Sequence, residues 1–247
     1  MPYGLLAPSP HPGPITYFCS TAAHVYPLPT VCPTPPEPGG AGTIGPRPEY
    51  PRTENDVSAV TPDLNARHGL NPPHSEVVAA CREIQPGKAL DMGCGGGRNA
   101  VYLGQLGFEV TAVDVNPGGL AMLQSIIDAE GLSKVEARLY DINEAALDAD
   151  YDFIACTVTL MFLNPARVDA VIADMQQHTK PGGHNLIVVA MDTDAYPCPM
   201  NFPFTAKPDQ MKKMYAGWEL VKYNEDVGTM HNGARLQFAT MLARKPS

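Results

Sequence analysis

The stretch Asp91-Met92-Gly93-Cys94-Gly95-Gly96-Gly97-Arg98-Asn99 constrains this chain more than any other, because it joins an apolar strand to a helix through a loop with almost no side chains. Lys88-Ala89-Leu90 enters as a strand and Arg98 to Leu106 leaves with helical character, so Gly93, Gly95 and Gly97 fall where the backbone must turn sharply against a ligand. A β-carbon at these positions is expected to collide. A dinucleotide fingerprint, G-x-G-x-x-G, would need its third glycine at position 98, which is Arg98. The D-x-G-x-G-x-G spacing fits instead a ligand with an amino-acid end and no pyrophosphate. The alternative is a glycine-rich turn that holds nothing.

A second carboxylate follows at the expected interval. Phe108 to Val113 reads as the next strand and ends at Asp114, followed by Val115, about 20 residues past the loop, where a doubly wound fold places a carboxylate for both ribose hydroxyls. Asp114 could otherwise cap the helix starting near Pro117, although Asn116 is better placed for that. Val135 to Tyr140 is a third strand, and Asp141-Ile142 at its end stands where an adenine amino group needs an acceptor and a neighbouring backbone N–H; a solvated loop aspartate is the other reading. Together these features look like the binding loops of an S-adenosylmethionine (SAM) enzyme. Arg98 and Asn99, in the first turn of the helix, are candidates for the cofactor carboxylate, together with free N–H groups. Thr157 and Val158, past the fourth strand, are candidates to border the sulfonium. Arg98 could equally be a surface charge, Thr157 and Val158 strand-end packing, and His74 a helix cap.

The remaining pattern alternates strand and helix: His74–Glu83 as an entry helix, Tyr151–Thr157 a strand, Pro165–His178 a helix, and Asn185–Met191 a strand announced by the turn Lys180-Pro181-Gly182-Gly183. Pro208–Tyr215 then reads as a short helix, with Trp218–Tyr223 and Arg235–Arg244 as strands. The fold class expected is α/β, a doubly wound, mostly parallel seven-stranded sheet, Rossmann-like, with one antiparallel strand near an edge and a crevice at the carboxyl ends of strands one to four. Residues 1–53 hold 14 of the 26 prolines, few charges and no periodicity, and read as a disordered leader before a domain at 54–247. Prolines at 8, 10, 12 and 14 interrupt any signal-peptide core, and no apolar run is long enough for a membrane helix. A net charge of −9 argues against nucleic acid and anionic membrane as partners and for a small-molecule substrate. The six cysteines have neither C-x-x-C nor metal-like spacing, the pattern of reduced cytoplasmic thiols, with no metal site.

The chain resembles the tellurite-resistance methyltransferase family (TehB) from about His74 to Lys245. The resemblance is carried by Leu90-Asp91-Met92-Gly93-Cys94-Gly95, Thr179 to Val188, Ala190-Met191-Asp192-Thr193, Gly217-Trp218-Glu219, Val221 to Gly228 and Phe238 to Lys245. The glycine loop alone places the chain in a superfamily with many substrates; the last three blocks narrow it. The resemblance implies class I SAM-dependent methyl transfer to a small oxyanion, tellurite or selenite, with a homodimer compatible with the family. A chalcogen(IV) oxyanion already carries a lone pair on its central atom, so no base need remove a proton and orientation can supply much of the rate. His231 and Arg235 are the candidate catalytic residues that would meet the anion. The family pattern has His-Arg after the Glu-Asp-Val-Gly block, whereas here Asn232 follows His231 and the loop is shorter. His231 thus carries over by position and Arg235 by analogy only, and Pro72-Pro73 replaces a threonine-bearing entry segment. Two other readings stay open: transfer to a different small acceptor, and a SAM-binding protein that transfers nothing.

Overall fold

The computed structural model describes residues 63–229, 233 and 235–247. Within it a seven-stranded sheet forms from β1 (Lys88–Met92), β2 (Glu109–Asp114), β3 (Val135–Leu139), β4 (Tyr151–Thr157), β5 (Thr179–Ala190), β6 (Glu219–Thr229) and β7 (Arg235–Arg244). The strand order is β3-β2-β1-β4-β5-β7-β6. All neighbours from β3 to β5 pair in parallel, and β7 pairs antiparallel with both β5 and β6. The expected doubly wound sheet with one reversed strand next to an edge is therefore observed.

The helices are α1 (Leu64–Arg67), α2 (Ser75–Ala80), α3 (Arg98–Gln105), α4 (Pro117–Glu130), α5 (Val168–Gln177) and α6 (Gln210–Met214). Alternation along the central strands feeds two apolar layers. Ala89, Phe153 and Ala155 pack with Leu103, Leu123 and Ile126 on one face, and Leu90, Ile154 and Cys156 pack with Ile172 and Met175 on the other. Asp91 shares a face with Ala89 by this period-2 rule and therefore points toward α3. The order reverses beside β1, between β2 and β4, which opens the crevice at the carboxyl ends of those strands.

Several elements depart from the sequence-based spans. Before the entry helix lies a short helix not anticipated from the sequence: Asp63 caps α1 by accepting from the Ala66 N–H at 3.0 Å. The helix expected over 165–178 begins as a 3₁₀ turn, Pro165–Arg167, before α5. The turn at 180–183 is an interruption within β5, where pairing jumps from Tyr151↔Thr179 to Phe153↔His184. β6 runs to Thr229, well past the expected end at Tyr223, because β7 pairs with it along its whole length and overrides the poor strand propensity of Asn224-Glu225-Asp226.

Candidate functional site

The glycine loop hangs from the end of β2: the Gly93 and Cys94 N–H groups donate to the Val113 carbonyl at 2.8 and 3.0 Å. At Gly97 (φ +92) a β-carbon would lie 2.4 Å from Leu123 Cδ1, so this position needs glycine to seat the loop on α4. At Gly95 (φ +55) nothing lies within 4 Å of such an atom. The expectation of collision thus holds for protein neighbours at Gly97, whereas Gly95 leaves open space on the side a ligand would take.

Asp114 anchors the same loop. Its Oδ2 accepts from the Gly95 N–H and its Oδ1 from the Asn116 N–H, both at 2.8 Å. Asn116 is the helix cap, its side chain accepting from the Gly118 N–H at 3.0 Å. Asp114 is therefore free of that duty and stands at the crevice rim. Val115 beside it is 60% exposed, and Leu139, at the end of β3, is 70% exposed. Asp141 caps a 3₁₀ turn, Ile142–Glu144, accepting from the Asn143 N–H at 2.9 Å, while the Ile142 side chain is buried in the core.

Behind the loop is a buried polar cluster centred on Asn99. Its amide donates to Thr157 Oγ1 at 3.1 Å, its Oδ1 accepts from the His74 N–H at 2.9 Å, and its side chain also hydrogen-bonds Asp91. Burial pushes the Asp91 carboxyl up to about 7, against the opposing pull of Asn99, Arg98 and the Ala100 N–H. Among the described residues Asp91 Oδ2 has no hydrogen-bond partner, although it is fully buried. An orphaned carboxylate oxygen of this kind calls for a donor, and a cationic one most of all. The Arg98 backbone carbonyl accepts from Asn65 Nδ2 at 2.9 Å, which fixes the first turn of α3. The N-cap of that helix, Gly97, brings no side-chain partner, so the Arg98 and Asn99 N–H groups carry no side-chain cap, while the Ala100 N–H is turned to Asp91.

Two cavities open here. The smaller, about 250 Å³, is lined by the loop from Gly93 to Gly96, Leu70, Asn71, Asn99 and Thr157. The larger, about 780 Å³, lies between the 72–76 segment and the β6–β7 pair, with Asn224, Asp226, Thr229, Phe238 and Thr240 on its far wall. Arg98 and Val158 line both. Val158 has φ +59, which for a β-branched side chain stores about 1–3 kcal/mol of strain; its N–H donates to the Val188 carbonyl at 2.7 Å and holds it there.

Of the predicted residues, Gly93, Gly95, Arg98, Asn99, Thr157 and Val158 meet at the smaller cavity, with Asp91 behind it and Asp114 tied to it. Arg235 opens β7 opposite Thr229 and is exposed; it is not among the residues lining either cavity. His231 lies outside the described residues. His74 turns out to cap α2, its Nδ1 accepting from the Glu76 N–H at 3.2 Å, while its ring also lines the larger cavity. Burial, then the nearby Arg98, lowers its pKa, against the opposing pull of Glu76. Sequence reasoning missed Asn65, Leu70 and Asn71, whose only signal was a capped turn too short to show periodicity. It also missed the ion pair between Glu76 and Lys222, whose partners are 146 residues apart.

Residues 63–242 match the family described as tellurite resistance protein TehB. "Hemagglutinin 1" of Eikenella corrodens is 49% identical over 217 residues, covering 80% of this chain and 72% of that protein. The probable S-adenosyl-L-methionine-dependent methyltransferase TehB of Haemophilus influenzae is 45% identical over 188 residues, covering 74% of this chain and 65% of that protein. The crystal structure of TehB from Haemophilus influenzae superimposes with a TM-score of 0.72 at 45% identity, again over 74% of this chain and 65% of that one. The chain thus spans a little under two thirds of the Haemophilus protein's length. A glycopeptide N-methyltransferase, MtfA, complexed with SAM, shares the fold alone, with a TM-score of 0.54 at 20% identity over 71% of this chain and 95% of that one. On the family match, the identity to TehB proteins and the sheet order, the chain belongs to the TehB tellurite-resistance family and has the fold of a class I SAM-dependent methyltransferase.

Proposed function

We propose that this methyltransferase moves the methyl group of SAM to tellurite, and to selenite as a second chalcogen oxyanion, in the cytoplasm. The observation that carries the reading is the pair of cavities meeting at Arg98 and Val158, one walled by the glycine loop and the other by β6 and β7. Two substrates bound in these spaces approach each other at a single junction, and holding them in line is worth up to about 7–11 kcal/mol in favourable systems.

The residues present fit the cofactor. In this reading Asp114 accepts from the ribose hydroxyls, Arg98 and the uncapped N–H groups of α3 hold the carboxylate, and the unpartnered Asp91 Oδ2 answers the ammonium charge. Val115 offers its exposed side chain to the adenine ring, with Asp141 and Ile142 at its edge, and Thr157 and Val158 border the sulfonium. When bound, SAM supplies an electrophilic methyl group. His231 would hold the anion, with its lone pair toward that methyl, and Arg235, exposed at the start of β7 outside both cavities, would meet the anion on its way in. The acceptor needs no base because the attacking pair sits on tellurium or selenium. That the four described cysteines, Cys81, Cys94, Cys156 and Cys198, are free thiols, and that no described helix is long and apolar enough to cross a membrane, is consistent with a cytoplasmic reaction.

The test is transfer of radiolabel from methyl-labelled SAM to tellurite and selenite by the purified chain. Turnover on either anion that His231→Ala weakens supports the reading. Cofactor binding with turnover only on a small thiol, amine or carboxylate would replace it with the second reading.

A further inference from the structure

The wall of the larger cavity contributed by residues 72–76 is fastened at two points. At one end the His74 N–H donates to Asn99 Oδ1 at 2.9 Å, and Asn99 in turn holds Thr157 and Asp91 on the floor of the cofactor crevice. At the other end Glu76 Oε2 meets Lys222 Nζ at 2.6 Å, the side chains 20% and 40% exposed. Lys222 belongs to β6, and by the two-residue period of a strand it shares a face with Asn224 and Asp226, which line the cavity. Glu76 sits in the first turn of α2, where the helix dipole favours its negative charge. The other titratable groups lining this cavity are His74 on the entry segment, Arg98 at the start of α3 and Asp226 on β6.

Helix α2 is only six residues long, too short to hold its position by its own hydrogen bonds. Its buried anchors are Val77 and Ala80, both facing the core and away from the cavity. What fixes the cavity side of the helix against the distant β6 is therefore the Glu76–Lys222 pair. A pair joining an entry segment to the acceptor-side strand, beside a junction that must bring two substrates into line, has a positional task that a surface ion pair lacks.

We propose that the Glu76–Lys222 ion pair is a positioning clasp: it holds the 72–76 wall against β6 and so sets the width of the acceptor cavity, while Asn99 ties the other end of that wall to the cofactor crevice. Neither residue touches the reacting atoms. The acceptor part of this inference rests on the function proposed above.

The experiment compares the full chain with Lys222→Met, Glu76→Gln and the exchanged pair Glu76→Lys/Lys222→Glu. Three quantities are read: S-adenosylhomocysteine affinity by calorimetry, KM and kcat for tellurite, and amide hydrogen exchange with S-adenosylhomocysteine bound. Lys222→Met is expected to raise the acceptor KM about tenfold while kcat and cofactor affinity stay within twofold. The amides of Val77 and Val78, which donate to the His74 carbonyl, should exchange faster. The exchanged pair should restore both KM and protection, which a merely structural lysine would not allow. Unchanged KM and exchange in Lys222→Met, or failure of the exchanged pair to rescue, overturns the clasp. If the wild-type chain methylates neither anion, the proposed function falls by itself, and the exchange measurement still decides for or against the clasp.

Discussion

The two halves of the site are built by different means. The cofactor half, at the ends of β1, β2 and β4, is made of backbone conformation and buried polar bonds: a loop hung from Val113, Asp114 holding Gly95, and Asn99 joining three segments. The proposed acceptor half is made of half-buried and exposed side chains on β6 and β7 around a cavity of about 780 Å³, walled on one side by the 72–76 segment, which the Glu76–Lys222 pair joins to β6. Buried networks are rigid and intolerant of change, whereas side chains on an exposed strand can be replaced at little expense in stability. The same sheet can therefore keep one chemistry on one side and vary its acceptor on the other.

The contrast is sharpened most by changes on the cofactor side. Gly95→Ala would put a β-carbon into the open crevice space at φ +55, so S-adenosylhomocysteine affinity is expected to fall at least tenfold, measured by calorimetry. The accompanying loss of stability should be only about 1–2 kcal/mol, since the strain is that of a single left-handed residue. A larger loss of stability than of affinity would make the glycine a folding residue and not a ligand-facing one.

Next in size is Asn99→Ala, which leaves the His74 N–H and Thr157 Oγ1 without this partner and removes a hydrogen bond from Asp91. Unsatisfied buried groups of this kind cost about 1–3 kcal/mol each, so chemical denaturation should show a loss of about 3 kcal/mol. A loss below about 1 kcal/mol would mean that the cluster does not bind the two sides of the crevice together.

The pH response of Asp91 is a subtler probe. Burial above all raises its folded pKa from the ordinary carboxyl value of 3.8 to about 7, so its contribution to stability is present in full below about pH 4 and lost as the pH rises to about 7. In that interval the unfolded chain has released a proton that the native apoprotein still holds, and the change is on the order of 4 kcal/mol. A bound cation beside the carboxylate favours the ionised form, so S-adenosylhomocysteine affinity should strengthen between pH 6 and 8. Asp91→Asn should flatten both profiles; an unaltered profile in that variant assigns the proton elsewhere.

Most of the proposed cofactor half could be located from the sequence because its residues are neighbours in the chain. Asp91, Gly93, Gly95 and Gly97 stand in one nine-residue run, and Asp114 closes the very next strand. The doubly wound sheet with one reversed strand near an edge was also expected from the alternation of strands and helices, and the structure shows that strand to be β7. The acceptor half was not legible, because its wall is assembled across the fold from Glu76, Lys222 and Asp226, residues that read individually as solvated charges. The length of β6 was underestimated for the same reason: its partner strand, not its own composition, decides it. Val158 was placed correctly at the strand end, but its left-handed backbone has no signature in a β-branched residue.

The most direct test of the division is the affinity of S-adenosylhomocysteine for the wild-type chain, Asp114→Ala and Arg235→Ala, measured side by side. Asp114→Ala removes both the acceptor of the Gly95 N–H and the proposed ribose contact, and affinity should fall about a hundredfold, the sum of two charge-assisted hydrogen bonds at roughly 1.5 kcal/mol each. Arg235→Ala, at the far end of β7, should bind within twofold of wild type. Equal losses in the two variants, or an Asp114→Ala chain that binds like wild type, would contradict an account in which one half of the site holds the cofactor and the other holds the acceptor.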